Sequence, residues 1–86
     1  MLCNYLKFPD GTQYAYSEVR GDGTVKVVVE RPRDFGSDAA VCMLPSFTWL
    51  DVEGFADGEL EKMTDFMHHN APLIMSFAQE ASMIHA

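Results

Sequence analysis

Eighty-six residues make one domain, and with 48% of them hydrophobic and 12% aromatic the chain lies well outside the disordered range. Six basic against thirteen acidic residues leave a net charge of −7, which removes direct nucleic-acid binding because a phosphate backbone requires clustered cations. No apolar run approaches the roughly 20 residues that span a bilayer, so no membrane partner is expected.

In chain order, Leu2–Phe8 reads as a short strand that stops at Pro9-Asp10-Gly11. Proline presets φ in such a turn and glycine accepts positive φ. Thr12–Arg20 follows, with Tyr14 and Tyr16 on one face and Ala15, Ser17 and Val19 on the other. Gly21-Asp22-Gly23 is a second turn signal. Thr24–Arg31 then places Val25, Val27 and Val29 on one side, against Lys26, Val28 and Glu30. Pro32 through Asp38 collects Pro, Gly, Ser and Asp and is expected as a surface loop. Ala39–Leu44 is apolar throughout and predicts a buried strand ended by Pro45, while Phe47–Val52 is either a fifth strand or an extended connection ended by Gly54.

Beyond Gly54 the apolar period changes from two to about 3.6 residues per repeat. Leu60, Met63, Phe66 and Met67 form one stripe, opened by Asp57 as N-cap with Glu59 and Glu61 favourable to the helix dipole. His68, His69 and Asn70 are expected to close this helix. Asn70 then caps a second one carrying Pro72 in its first turn and Ile74, Phe77, Ala78, Ala81 and Ile84 on its stripe. Proline disfavours helical backbone at the preceding Ala71, which predicts a break near residues 70–71. The fold class is therefore α+β: an antiparallel β-meander of three to five strands over residues 1–54, followed by two C-terminal amphipathic helices over 55–86, packed on one sheet face. The opposite face, with some of Tyr14, Tyr16, Val28 and Trp49, is expected to be wet or to meet a partner.

Chemistry-bearing motifs are scarce. Adjacent helical residues point about 100° apart, so His68 and His69 do not ligate one metal together, and Asp65 with His69 lacks a third ligand. Neither a nucleophile elbow, nor a Cys-x-x-Cys, nor a phosphate-cradling glycine loop is present. Gly21-Asp22-Gly23 joins two strands and opens no helix. No catalytic residue, metal or cofactor is assigned. Cys3 and Cys42 are far apart in sequence and read as reduced thiols. Met1-Leu2-Cys3-Asn4-Tyr5 has no basic region followed by an apolar run, so no signal peptide is expected and cytoplasm is the default.

Charge asymmetry is the stronger signal. Residues 51–86 carry Lys62 alone against seven carboxylates, and Asp57, Glu61 and Asp65 share one helical face just after Asp51 and Glu53. With Trp49, Tyr14 and Tyr16 these form the candidate interaction surface, read either as a solvated face or as a dock for a basic protein partner. Met63, Met67, Met75 and Met83 fill core gaps or form an adaptable contact surface. A chain this short buries only about 60–65% of its unfolded surface, so its surplus of apolar residues predicts a homodimer. The expected function is a small self-associating protein-interaction module without catalytic activity. The alternatives are an acidic, antitoxin-like or nucleic-acid-mimicking regulator that occupies a basic surface, and a small enzyme or ligand-binding protein.

Gly54-Phe55-Ala56-Asp57-Gly58-Glu59-Leu60, leading through Phe66 and Asn70 to Phe77, resembles a family of very small bacterial proteins of unknown function often encoded beside toxin–antitoxin cassettes. The likeness covers about residues 41–80. It implies strands before helices and a bacterial cytosolic setting. The His-x-His strand and the last-helix tryptophan of that family are absent here, so no histidine role carries over.

Overall fold

In the computed structural model, which describes residues 2–84, five strands precede a single helix. These are β1 (Leu2–Lys7), β2 (Gln13–Ser17), β3 (Val25–Pro32), β4 (Ser37–Leu44), β5 (Thr48–Glu53) and α1 (Asp57–Ile84). Strand order follows chain order and every pairing is antiparallel, so the sheet is a meander. Each reversal has local chemistry behind it. At Pro9-Asp10-Gly11 the Asp10 carboxylate accepts from Thr12 N at 2.9 Å, Gly11 takes φ +92°, and Phe8 N donates to Thr12 O at 2.8 Å.

Alternation along β3 and β4 sorts the two faces. Val25, Val27, Val29, Ala40, Cys42 and Leu44 are buried under α1, whereas Lys26 and Glu30 face water with Val28 half-buried between them. The helix returns Met63, Met67, Ala71, Ile74 and Ala78, spaced by three or four residues, to the same core. At its far end Ser82 Oγ accepts from Val19 N at 2.8 Å, tying α1 to the chain just after β2. The side chain of Ile84, expected on this stripe, lies outside the described residues.

Two helices were expected and one is found: α1 runs unbroken through Pro72 for 28 residues. A proline inside a helix costs about 3 kcal/mol. A break, however, would lift Ile74 and Ala78, both fully buried, off the sheet. Burial of an isoleucine alone is worth about 1.5–3 kcal/mol, and Phe77, Met75 and Ala78 would add to the loss. Packing therefore overrides the local preference, and Pro72 points into solvent. Asn70 is no cap. Its Nδ2 donates to Phe66 O at 2.8 Å and its Oδ1 accepts the Tyr5 hydroxyl at 2.6 Å.

Smaller differences have similar causes. The expected loop from Pro32 to Asp38 shrinks to Arg33–Gly36, because β3 and β4 stay paired through Arg31↔Asp38 and Pro32↔Ser37. Phe47–Val52 resolves into β5, shifted to Thr48–Glu53, and pairs with β4. Asp57 is the first helical residue rather than the cap. Glu59 Oε1 instead accepts from Ala56 N at 3.0 Å, the return half of a capping box.

Candidate functional site

The aromatic members of the expected interaction surface lie under the helix, not on the open sheet face. Tyr14 is only 3% exposed, its ring 4.5 Å from Phe66 and 5.8 Å from Phe8. Burial pushes its hydroxyl pKa up to about 12. Tyr16 stacks beside Phe77 at 6.3 Å, and burial also raises its pKa. Trp49, in register with buried Cys42, donates Nε1–H to Thr64 Oγ1 at 2.9 Å. Alternation along a strand separates two faces but does not say which of them a terminal helix covers, and here the helix covers the face of these three. Of that group, Val28 does lie on the open face, in a row with Ala15, Val41 and Leu50.

Carboxylates gather on the β5 side. Asp51, Glu53, Asp57, Glu61 and Asp65 are all exposed, and none of them forms an ion pair among the described residues. Asp57, Glu61 and Asp65 share a shallow surface with Leu60 and Thr64, the residue that holds Trp49. The acidic stripe thus faces away from β1.

A group not singled out by sequence sits where β3, β4 and α1 meet. Arg31 continues the phase of the buried valines, and Asp38 that of Ala40 and Cys42, so the two face each other across the ladder. Arg31 Nη2 lies 2.7 Å from Asp38 Oδ2, Nη1 pairs with Glu59 Oε2, and the guanidinium sits 4.7 Å over the Phe55 ring. Arg33 Nε adds a contact to Asp38 at 2.5 Å. The Arg31 hydrogen bond holds the Glu59 pKa at about 2 and, with the Asp38 bond, raises that of Arg31. Burial works to raise the Asp38 pKa, but hydrogen bonds from Arg31 and Arg33 outweigh it and the net direction is down.

This knot closes one end of a cleft of about 580 Å³ between the β1–β2 turn and the first half of α1. Its walls are Phe8, Phe55, Met63, Phe66 and Tyr14, with Arg31 and Lys62 at the edge. Phe8, Tyr14 and Phe66 meet edge-on or tilted, the favoured geometry for aromatic clusters.

Farther along the same side, exposed apolar groups concentrate. Leu6 of β1 and Leu73 and Phe77 of α1 are exposed by 42%, 49% and 36%, whereas Leu2, paired with Ser17 in phase with Ala15, lies on the open sheet face, and Met83 falls in the helical row of Asp65. Among the described residues, the other large apolar side chains that exposed are Leu50 on the open face and Phe35 at the β3–β4 tip. The β1 strand and the C-terminal half of α1 touch directly: Tyr5 lies 6.2 Å from the Phe77 ring and bonds Asn70. A bulge at Tyr5 turns its side chain toward the helix. From Phe66 to Gln79 the helix contains no Asp, Glu, Lys or Arg.

The paired histidines are mid-helix, not terminal. His68 stacks on Phe47 at 3.8 Å, and His69 Nδ1 lies 2.7 Å from Asp65 O. Among the described residues no three His, Cys, Asp or Glu side chains converge as metal ligands, and no helix is long and apolar enough to cross a membrane. Cys3 and Cys42 are free thiols, and burial raises the Cys42 pKa to about 11, which suppresses its thiolate at neutral pH. No family model matches the chain, and no curated protein or solved structure matches it.

Proposed function

We propose that this protein is a small interaction module that self-associates, with a second copy seated on the side formed by β1 and the C-terminal half of α1. The observation that carries this reading is the segregation of apolar exposure from charge. Leu6, Leu73 and Phe77, three of the seven large exposed apolar side chains named above, occupy this side, and the two helical ones lie on a stretch without a charged residue. Two chains of net charge −7 repel, and the uncharged side is where they meet at least electrostatic cost, with both acidic flanks turned outward. An isologous contact would bury each copy's Leu6, Leu73 and Phe77 against the other's and cover the free edge of β1. Light scattering after size exclusion tests this. A dimer at micromolar concentration is expected, converted to monomer by Leu73→Glu and left intact by Glu61→Gln. A wild-type monomer at high micromolar concentration overturns it.

A second reading is favoured by the five exposed carboxylates on the β5 side, in no ion pair among the described residues, which fit a basic protein partner. Such association would weaken steeply with salt and with Asp57→Asn, Glu61→Gln and Asp65→Asn together. Free thiols at Cys3 and Cys42 fit a reducing compartment, which supports a cytoplasmic reading. The likeness to small bacterial proteins encoded beside toxin–antitoxin cassettes accords with an interaction role and rests on sequence alone.

A further inference from the structure

The cleft between the β1–β2 turn and the first half of α1 has a feature that packing does not explain. Tyr14 is 97% buried (3% exposed), yet its hydroxyl makes no hydrogen bond among the described residues. It is also not sealed in, since no buried polar side-chain atom there lacks a partner. The hydroxyl therefore opens onto the cleft that Tyr14 lines. A phenol placed among Phe8 and Phe66 purely for core volume would serve as well without its oxygen.

The charges at the rim are unequal in availability. Glu59 spends one carboxylate oxygen on Ala56 N and the other on Arg31. Asp10 accepts from Thr12 N through one oxygen only and keeps an exposed carboxylate at the turn end of the rim, while Arg31 is divided between Asp38 and Glu59. Lys62 remains, exposed and in no ion pair among the described residues, on the helical flank that carries Met63 and Phe66 into the cleft. Asp57, Glu61 and Asp65 lie on the other flank. The site thus combines aromatic walls, one neutral donor that opens onto it from an otherwise buried side chain, and one cation in no ion pair among the described residues, within a volume of about 580 Å³, inside the range that holds small organic ligands.

We propose that this cleft binds a small aromatic carboxylic acid, with its ring among Phe8, Phe55 and Phe66 and its carboxylate met by Tyr14 Oη–H and Lys62 Nζ. An aromatic ammonium would leave both donors unanswered and meet only Asp10 at the rim, and an aromatic alcohol would accept from them without the charge that Lys62 favours. The site is separate from the proposed self-association surface.

Titration of the full chain with phenylacetate, 2-phenylethanol and 2-phenylethylamine, followed by NMR of the Phe8 and Phe66 ring signals, tests it. Phenylacetate is expected to saturate at millimolar concentration or below, about tenfold tighter than the alcohol, with no saturation by the amine. Tyr14→Phe and Lys62→Gln should each weaken phenylacetate about 5- to 10-fold while leaving the alcohol's affinity less changed in Lys62→Gln. Lys62 is exposed, so its variant stays folded and keeps the test valid even if Tyr14→Phe disturbs the core. Equal binding of all three probes, no saturable shift with phenylacetate, or phenylacetate affinity unchanged in both variants overturns the proposal. Repeating the titration in Leu73→Glu separates it from self-association: binding retained there stands whether or not the dimer forms.

Discussion

Replacing Pro72 by alanine should stabilise the protein, because Pro72 interrupts the hydrogen bonding of α1 while its side chain is exposed and outside the core. Its ring deprives the His68 carbonyl of the N–H four residues on, a defect worth about 3 kcal/mol in a helix interior. Proline offsets about 0.4–1 kcal/mol of this by restricting the unfolded chain. The neighbouring contacts are untouched, since Ala71 and Ile74 carry the burial on either side. A net gain of about 2 kcal/mol follows, which for a domain of this size raises Tm by about 8–16 °C. Thermal and urea unfolding by circular dichroism, at one fixed protein concentration, would measure it. An unchanged or lowered midpoint would refute the reasoning. It would mean that the backbone at residues 71–72 already satisfies the His68 carbonyl in a bent or divided helix, as proline's local preference would have it.

Ile74→Ala should cost about 2–5 kcal/mol in urea unfolding, and a cost below about 1 kcal/mol would show that the second half of α1 is not seated on the sheet. Gly54→Ala should cost at least about 2 kcal/mol, because Gly54 holds φ +86° and an added Cβ would lie 1.9 Å from Asp38 Oδ1. Equal stability would mean that Asp38 moves freely away from Arg31. On acidification, the depressed Glu59 pKa sets the sign: its contribution is whole above the ordinary value of 4.5 and is lost as pH falls toward about 2. Urea midpoints measured across that window should fall with pH, and Arg31→Met should flatten the slope. Cys42 and Tyr14 act in the opposite direction. The unfolded chain ionises first near the ordinary values of 9 and 10, so stability is intact below pH 9 and declines as pH rises through about 11 and 12. Cys42→Val should delay the onset of that decline.

Strand identity and order were legible because each signal was local. Gly21-Asp22-Gly23 and Pro9-Asp10-Gly11 dictate reversals, and the Val25, Val27, Val29 alternation dictates a face. The continuity of α1 was not legible, because proline's effect on Ala71 is local whereas the burial of Ile74 and Ala78 depends on a sheet assembled elsewhere in the chain. The same limit explains the aromatic residues. Tyr14, Tyr16 and Trp49 were visible as residues that needed a surface, but only the diagonal course of α1, from Glu59 beside Arg31 to Ser82 beside Val19, decides that this surface is helix.

The site was partly written in the strand pattern. Arg31 stands in phase with three buried valines, and Asp38 with Ala40, Cys42 and Leu44; a cation on a buried row requires a carboxylate on the facing one. Reading that pair would have shortened the expected loop from Pro32 to Asp38 and brought Glu59 and Phe55 to the same point. The acidic asymmetry, in turn, has a geometric sense that composition does not carry. Charges are divided between the two flanks of one helix, Asp57, Glu61 and Asp65 on the β5 side, with Lys62 and the Arg31-paired Glu59 toward the cleft. Beyond Asp65 the flank over β1 has none until Glu80. A helix sorted in this way keeps a short chain with exposed leucines from indiscriminate association, since long-range repulsion acts from the β5 side while the uncharged side stays open to short-range apolar contact. Neutralising the β5 flank without touching β1 should therefore broaden association rather than strengthen the dimer proposed above, which light scattering of the Asp57→Asn, Glu61→Gln, Asp65→Asn variant would show as a spread of species above two chains.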